Sequence, residues 1–350
     1  MKIPDKLEPY EIVDLILRET VKLGASDIYW LPEEDDCRIC CRVGGVQKPL
    51  HQLDNIKGLQ CITRIKVMAN LLTYRNQVAQ DGVIKDGEKF PGVEFRVAVM
   101  PTVNGERITL RILDKAQSPQ FLDELNFAPG AAEQLKAMLK PSGGMIVLTG
   151  PTGCGKTTTI YAMIRELIKN KQDPASIISI EDPVESRIPG ISQVSLSKSN
   201  EQWNYAQALR AALRQDVKTL IIGEMRDAEI IKVALDAALT GHRVITTFHA
   251  GDIPAVYTRI LHHGFEPFLV ASAITGIVSQ RLLKAKSGDR QIPLAALLIP
   301  DDNWRDFIID NPALSEIRKH IIRYPQADLH NVAAKMAEKG LIEEKDVYLL

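Results

Sequence analysis

The sequence predicts an α/β fold with a parallel sheet covered by helices on both faces, preceded by a smaller α+β domain. Three observations support this prediction. From about residue 129 onwards, apolar runs of strand length alternate with helical patterns. Residues 1–114 instead combine short helices and strands with a hairpin pattern. A chain of 350 residues also exceeds the size that one hydrophobic core usually reaches.

The first region, residues 1–114, alternates helices and strands on a small scale. Gly24 closes the first helical pattern, and Asn104-Gly105 supplies the turn of the hairpin. The predicted elements are helices over residues 11–23 and 53–72 and strands over residues 26–31, 37–43, 95–100 and 107–113.

Cysteine usage fits a reducing compartment, because five cysteines form an odd set without a disulfide framework. Cys37 and Cys40 have the spacing of half a zinc site, but no second Cys or His pair stands at ligand spacing. Cys37, Ile39 and Cys41 alternate like the inward face of a strand. We therefore expect core packing rather than metal binding.

The charge and hydropathy of the chain argue against a nucleic-acid-binding protein and against a membrane-spanning protein. The formal net charge of -1 lacks the excess of Lys and Arg that nucleic-acid binding requires. No stretch approaches the roughly 18 apolar residues of a membrane span, and no signal core follows the first residues. We expect a cytoplasmic protein without a nucleic-acid partner, whose attachment to a membrane is peripheral.

The second region, residues 129–350, contains the alternating pattern and becomes helical after Pro267. A linker is predicted over residues 115–128, which lack strong periodicity and include Ser118-Pro119. Parallel sheets bind ligands at the carboxyl ends of their strands, which is where the polar motifs of this chain begin. The predicted elements are strands over residues 145–148, 177–180, 219–222, 243–248 and 292–299 and a helix over residues 158–169.

A glycine-rich segment between the first of these strands and the helix matches the phosphate-binding pattern G-x-x-x-x-G-K-[ST]. Lys156 would reach the β and γ phosphates of ATP, and the Thr157 hydroxyl would bind Mg²⁺. A glycine-rich turn without a ligand is the alternative, which the flanking strand and helix disfavour. The predicted nucleotide-binding residues are Gly150, Pro151, Thr152, Gly153, Cys154, Gly155, Lys156, Thr157 and Thr158.

Two carboxylates follow the strand over residues 177–180. ATP hydrolysis needs a carboxylate that orients or deprotonates water, and Glu181 is the first candidate. Glu185 is a second candidate, and its alternative role is that of a local cap or ion-pair partner. A solvated turn is the alternative for the whole acidic cluster.

The strand over residues 219–222 leads to Glu224, at the point where a carboxylate commonly holds Mg²⁺ or its waters. Asp227 is expected to cap the following helix. After the next strand comes His249, which could hydrogen-bond the γ phosphate or be structural. His262 and His263 are expected at the end of a helix.

Three arginines in the predicted hairpin alternate with apolar residues. The period of two places Arg107 and Arg111 on one face, and Arg96 lies on the facing strand. Arginines suit phosphate because their planar fork binds it through two hydrogen bonds. The alternatives are a solvated sheet face and an arginine set that closes on nucleotide from a neighbouring domain or subunit.

Four ordered segments resemble the Walker A, Asp box, Walker B and His box of the type II secretion and type IV pilus ATPases. Residues 25–28, 80–82, 95–113 and 280–283 are also similar to segments of that family. The four motif segments are residues 150–159, 180–185, 223–227 and 240–249.

The resemblance implies a RecA-like P-loop ATPase domain after a PAS-like smaller domain. It also implies a cytoplasmic homohexamer that assembles a pilus or pseudopilus, and an inner-membrane platform protein as partner. The catalytic roles that it implies fall on Arg96, Arg111, Lys156, Glu181, Glu224 and His249, with Thr157 and Glu224 at Mg²⁺.

The chain also departs from many members of the family. No cysteines follow Lys284, so the zinc insertion found in many assembly ATPases is not expected. The compact length resembles competence-pilus ATPases or short retraction ATPases, whereas residues 101–113 resemble the assembly branch. The Mg²⁺ and ATP of the family are the expected cofactor and substrate.

Overall fold

The structure is a computed structural model that describes residues 7–85, 89–114, 121–196, 204–288 and 291–348. The chain divides into two compact units, Met1–Ser118 and Pro119–Leu350. The first half of the predicted linker, residues 115–120, lies outside the described residues. In its second half, Leu122 and Leu125 are buried in a core of the second unit.

The first unit is an antiparallel six-stranded sheet with two helices. Its strand order is β3-β2-β1-β6-β5-β4. The helices are α1 (Pro9–Lys22) and α2 (Asn55–Met68), and the strands are β1 (Asp27–Pro32), β2 (Asp36–Val43), β3 (Val46–Asp54), β4 (Gln80–Ile84), β5 (Val93–Thr102) and β6 (Gly105–Asp114).

The sequence missed the two edge strands of this sheet, β3 and β4. Most side chains of β3 are exposed and it contains Pro49, so it lacks the alternation that marks a strand. Leu53, predicted to begin the second helix, belongs to β3 instead. Asp54 starts the helix, because its Oδ1 accepts a hydrogen bond from the Lys57 amide at 2.8 Å.

The two helices and one face of the sheet enclose the core of the first unit. Cys37 and Ile39 lie in this core, as the alternation predicted, and Cys61 of α2 joins them. Burial raises the pKa of the Cys37 thiol to about 11 and that of Cys61 to about 12. Both side chains are therefore neutral, apolar packing groups.

The second unit consists of a seven-stranded sheet with helices on both faces. The helices are α3 (Ala131–Met138), α4 (Lys156–Lys169), α5 (Tyr205–Ala212), α6 (Ala228–Leu239), α7 (Ile253–His262), α8 (Pro267–Ala273), α9 (Asp302–Ile309), α10 (Leu314–His320), α11 (Leu329–Glu338) and α12 (Glu344–Val347). The strands are β7 (Gly144–Thr149), β8 (Ile177–Glu181), β9 (Ser192–Ser195), β10 (Thr219–Ile222), β11 (Arg243–Phe248), β12 (Ile274–Lys284) and β13 (Gln291–Leu298).

The strand order of this sheet is β13-β12-β7-β11-β10-β8-β9. All neighbouring strands are parallel except β12 and β13, so the predicted parallel sheet is confirmed. The sequence missed β9 and β12. The strand β12 lies in a stretch predicted to be helical, and its long apolar run carries no period that separates a buried strand from a buried helix.

The central strand β7 shows why the sheet must be covered on both sides. All six of its residues are buried. Ile146 and Leu148 pack with α3 and α4, whereas Met145 and Val147 pack in a separate core on the opposite face. A strand buried on both faces reads as a continuous apolar run, which is what the sequence shows. No helix in the described part of the chain is long and apolar enough to cross a lipid bilayer.

Candidate nucleotide site

Four polar segments meet at the carboxyl edge of the parallel sheet. The strands β7, β11, β10 and β8 are consecutive neighbours. Because they are parallel, the residues that follow them emerge at the same edge. The glycine-rich loop follows β7, His249 follows β11, Glu224 lies beyond β10, and the acidic segment begins at the end of β8. The structure thus brings together the motifs that the sequence placed at strand ends.

The backbone of the glycine-rich loop adopts conformations that residues with a side chain rarely adopt. Gly150, Gly153 and Gly155 have φ angles of 142°, 77° and 89°, in the region that favours glycine. Gly155 is the N-cap of α4, and no side chain caps this 14-residue helix. Its first amides therefore remain available to an anion, which is the donor arrangement of a phosphate site.

Lys156, Thr157 and Thr158 follow the last glycine of the loop, at the start of α4. Lys156 Nζ donates hydrogen bonds to the carbonyls of Gly150 at 2.8 Å and Pro151 at 2.9 Å, which holds its charge over the loop. Thr157 is half-buried in the first turn of α4, whereas Thr158 is exposed. Cys154 is buried, and this burial raises the pKa of its thiol.

Glu181 is enclosed by hydrogen-bond donors. The residue is buried, with 5% of its surface exposed. Oε2 accepts a hydrogen bond from the Tyr161 hydroxyl at 2.5 Å, and Oε1 accepts one from Ser179 Oγ at 2.7 Å. Gln193 Nε2 donates to Oε1 at 3.3 Å. A carboxylate held by three donors is well suited to fix the side chains that donate to it.

Tyr161 connects this buried carboxylate to the acidic segment that follows. Its hydroxyl oxygen accepts hydrogen bonds from the amides of Glu185 and Ser186, each at 3.2 Å. Burial and the hydrogen bond to Glu181 raise the pKa of Tyr161 far above its usual value, so the hydroxyl remains a donor. The arrangement fixes the backbone at Glu185, whose own side chain is exposed.

Glu224 is the centre of an ionic cluster that links three strand ends. Its Oε1 lies 2.8 Å from His249 Nε2, and its Oε2 accepts a hydrogen bond from Arg226 Nε at 2.9 Å. Arg226 Nη1 lies 3.4 Å from Asp182 Oδ2. The side chain of Glu224 is 20% exposed, so the group is partly open to solvent. The cluster joins the segments after β8, β10 and β11.

Other polar residues have the structural positions that the sequence predicted. Asp227 caps α6, where its Oδ1 accepts a hydrogen bond from the Ile230 amide at 2.9 Å. His262 and His263 lie at the end of α7. His242 lies before β11, away from the carboxyl edge, with its Nδ1 3.1 Å from the Ala237 carbonyl oxygen.

The predicted arginine set lies on the outer face of the first unit's sheet. Arg96 and Arg111 are directly opposite each other on β5 and β6. Arg111 Nε lies 3.3 Å from Asp27 Oδ1, and the arginine side chain is 68% exposed. Arg107 lies on the same face, with its guanidinium 5.9 Å from the ring centroid of Tyr29. Like charges placed directly opposite each other on a sheet face repel.

Sequence reasoning gave no separate role to three side chains at this edge: Tyr161, Arg226 and Gln280. Tyr161 falls outside the apolar stripe assigned to α4, and Gln280 interrupts the apolar run of β12. A polar residue within a buried pattern is therefore the signal that could have identified Tyr161 and Gln280, whereas Arg226 is exposed and carries no such signal. Their partners are distant in sequence and cannot be read from it.

Comparison with known proteins identifies relatives along most of the chain. The family model of the type II/IV secretion system proteins matches residues 5–323. The type IV pilus assembly ATPase PilB of Myxococcus xanthus is 37% identical over 316 residues, which cover 86% of this chain and 54% of that protein. The type II secretion system ATPase E of Vibrio cholerae is 35% identical over 286 residues, which cover 82% of this chain and 56% of that protein. The chain thus spans about half the length of these curated relatives.

Solved structures match over nearly the full chain. The ATPase DotB of Legionella pneumophila has a TM-score of 0.80 and 25% identity, covering 99% of this chain and 96% of DotB. The pilus retraction motor PilT with bound ADP has a TM-score of 0.72 and 27% identity, covering 95% of each chain. These similarities confirm the predicted RecA-like ATPase domain preceded by a smaller domain.

Proposed function

This chain belongs to the family of type II/IV secretion system proteins, and we propose that it is an ATP-hydrolysing motor of a filament-building machine. The filament is a type IV pilus, a competence pseudopilus or a type II secretion pseudopilus. The motor works as a homohexameric ring on the inner face of the cytoplasmic membrane, where an inner-membrane platform protein is its partner. The near-neutral net charge of -1 argues against a nucleic-acid partner.

The observation that carries this proposal is the convergence of four motifs at one sheet edge. A phosphate-binding loop without a hydrolytic apparatus would suit many nucleotide-binding proteins. Here an ionic cluster of Asp182, Glu224, Arg226 and His249 lies on the strand ends beside that loop. Carboxylates next to phosphate-binding amides supply two of the functions that ATP hydrolysis uses, namely binding of Mg²⁺ and orientation of the attacking water.

The roles proposed for the individual residues follow from their surroundings. In this proposal Lys156 and the loop amides bind the phosphates, and His249, whose Nε2 lies 2.8 Å from Glu224 Oε1, reports on the γ phosphate. Glu181, the first candidate from sequence, is enclosed by donors, which favours a positioning role. Glu185 is exposed, and its backbone is fixed by Tyr161. The geometry therefore favours Glu185 over Glu181 as the carboxylate that orients or deprotonates water.

The residues present fit a magnesium ion. Thr157 offers a hydroxyl and Glu224 a carboxylate, and both are oxygen ligands of the kind that Mg²⁺ prefers. Arg226 Nε donates a hydrogen bond to Glu224 Oε2, and His249 Nε2 lies 2.8 Å from Glu224 Oε1, so the carboxylate is oriented by its neighbours. When bound, the ion neutralises charge on the phosphate groups.

Steady-state phosphate release by the purified protein tests the proposal. We expect turnover with MgATP that disappears in a phosphate-loop variant and that does not depend on added DNA. Nucleotide binding without turnover would instead support a slow, nucleotide-dependent scaffold within the same kind of ring. An absence of nucleotide binding would refute both.

Filament retraction is the second candidate function, and one observation favours it. The fold of the chain is similar to that of the retraction motor PilT, with a TM-score of 0.72 over 95% of both chains. Deletion of the gene in its host distinguishes the two directions of work. Loss of surface filaments supports assembly, and an excess of filaments supports retraction.

A further inference from the structure

Gln280 lies directly behind the phosphate-binding loop. It belongs to β12, which runs parallel to β7 with Ser279 opposite Thr149. Gln280 follows Ser279 and Gly150 follows Thr149, so Gln280 lies beside Gly150. The side chain is polar, yet the residue is only 2% exposed within a largely apolar strand. A buried amide must find hydrogen-bond partners, and those of Gln280 belong to the loop and to α4.

Both ends of the Gln280 amide are engaged. Its Nε2 donates a hydrogen bond to the Cys154 carbonyl oxygen at 2.7 Å. Its Oε1 accepts a hydrogen bond from the Thr159 hydroxyl at 2.9 Å. One contact holds the loop before Lys156 and the other holds the helix after it, so a single side chain spans the segment that carries the phosphate donors.

Residue 280 also limits which residues the loop can contain. A Cβ added to Gly150 would lie 2.3 Å from the Gln280 carbonyl oxygen, and one added to Gly155 would lie 2.9 Å from Gln280 Nε2. The first distance is a severe clash with backbone. Both glycines are therefore pressed against Gln280, and the loop rests on this residue on the side away from its ligand face.

We propose that Gln280 is a positioning residue of the nucleotide site, a role that rests on the proposed function. It holds the loop backbone from behind, so that the amides and Lys156 remain aimed at the phosphates. Its contribution lies in preorganisation, because it touches the carbonyl of Cys154 and the hydroxyl of Thr159 rather than the nucleotide. The two hydrogen bonds of Gln280, to the Cys154 carbonyl and from the Thr159 hydroxyl, form a clamp on the loop. Loss of this clamp should weaken nucleotide binding while the rest of the sheet remains intact.

The substitution Gln280→Glu tests the donor to Cys154, because an acceptor for the Thr159 hydroxyl is kept in both protonation states. A protonated glutamic acid has one O–H donor and one carbonyl acceptor, so it can reproduce both contacts. An ionised glutamate has only acceptors and would place a charged oxygen against the Cys154 carbonyl. Burial among the Cys154 thiol and the apolar core raises the carboxyl pKa, whereas the cations of Lys156 and Arg281 lower it. The clamp of this variant should thus form at low pH and open at high pH.

The measurement is the Kd of a fluorescent ADP analogue with Mg²⁺ from pH 6 to pH 9, with melting temperatures recorded in parallel. We expect Gln280→Glu to bind at least about tenfold more weakly than the wild type at pH 9 and to approach it at pH 6. The matched control is Gln172→Glu. Gln172 makes contacts with Arg243 and Thr219 at the opposite edge of the same sheet, and this variant should follow the wild type at every pH.

Two results would overturn the inference. One is wild-type affinity of Gln280→Glu at pH 9, and the other is wild-type affinity of Thr159→Val. Weak binding of Gln280→Glu at every pH with a native melting temperature would instead show that the carboxylate stays ionised and that the clamp is lost throughout. If Gln280→Glu does not fold, Thr159→Val tests the clamp from the helix side, and an unchanged Kd there would equally overturn it. A wild-type protein that binds no nucleotide would refute the proposed function instead, so the two failures are distinguishable.

Discussion

Two glutamates four residues apart have opposite environments. Glu181 accepts hydrogen bonds from Tyr161, Ser179 and Gln193 inside the protein, whereas Glu185 lies on the exposed segment beyond. A general base must reach the proton that it removes, either directly or through one water. Exposure therefore separates two residues that look alike in the sequence.

We expect Glu185→Gln to retain ATP and lose about 10² to 10⁴ in turnover, because an amide cannot take a proton from water. Glu181→Gln should lower the melting temperature and affect turnover much less. Phosphate release and retention of labelled ATP measure the two effects. Normal stability with abolished turnover in Glu181→Gln, together with an active Glu185→Gln, would return the catalytic role to Glu181.

Lys156 allows the sharpest test of the phosphate loop. Its ammonium group contacts loop carbonyls and is not part of a core, so its removal should leave the fold intact. We expect Lys156→Ala to abolish hydrolysis while its circular dichroism spectrum remains native. A folded variant that hydrolyses ATP at the wild-type rate would contradict the assignment of the loop.

At the scale of the element, α4 connects two parts of the proposed nucleotide site. Its N-terminus has no side-chain cap and adjoins the glycine-rich loop, and Tyr161 in its second turn holds the segment after β8. The helix packs against the sheet through Ile160, Ile164 and Leu167. A single rigid element thus sets the position of the loop relative to the acidic segment.

Tyr161→Phe should weaken this link, because it removes a donor to Glu181 and an acceptor for two backbone amides. Leaving these buried groups unpaired costs about 1–3 kcal/mol in the free energy of unfolding. We also expect lower turnover with little change in nucleotide affinity, since the loop itself is not altered. Chemical denaturation and phosphate release test this expectation. Unchanged stability would show that water or another group replaces the hydroxyl.

At the scale of the whole molecule, the charged residues that we assign to nucleotide hydrolysis belong to two different units. The phosphate loop and the carboxylates belong to the second unit, whereas Arg96 and Arg111 lie on a sheet face of the first. Arg96 and Arg111 lie directly opposite each other on that face, and Asp27 Oδ1 lies 3.3 Å from Arg111 Nε. We propose that an anion bound by both arginines is a further partner of this pair.

We expect Arg96→Ala and Arg111→Ala each to reduce hydrolysis at least about tenfold while a six-membered ring persists. An arginine that reaches the transition state can contribute about 10³ to 10⁵ in turnover, whereas an arginine that only solvates a sheet contributes almost nothing. Mass photometry and phosphate release provide the readouts. The control is Arg38→Ala, which removes an exposed ion pair with Glu33. A monomeric wild type, or full activity in both variants, would refute this arrangement.

The sequence determined the features that depend on local pattern. Short stretches of sequence are enough to predict the glycine-rich loop, the buried strands around it and the polar residues at the strand ends. The reason is that backbone geometry and the burial period depend on only a few neighbouring residues. The predicted strands over residues 177–180, 219–222 and 243–248 match β8, β10 and β11 for this reason.

The tertiary structure decided which polar groups are partners. Gln280 holds a carbonyl 126 residues away, and Tyr161 encloses Glu181 across 20 residues. Hydrogen-bond partners are chosen by strand order and helix packing, which no local period encodes. The edge strands β3 and β4 were hidden for a related reason, because a half-exposed edge lacks the alternation that a buried neighbour imposes. Only the folded chain therefore distinguishes the enclosed Glu181 from the exposed Glu185.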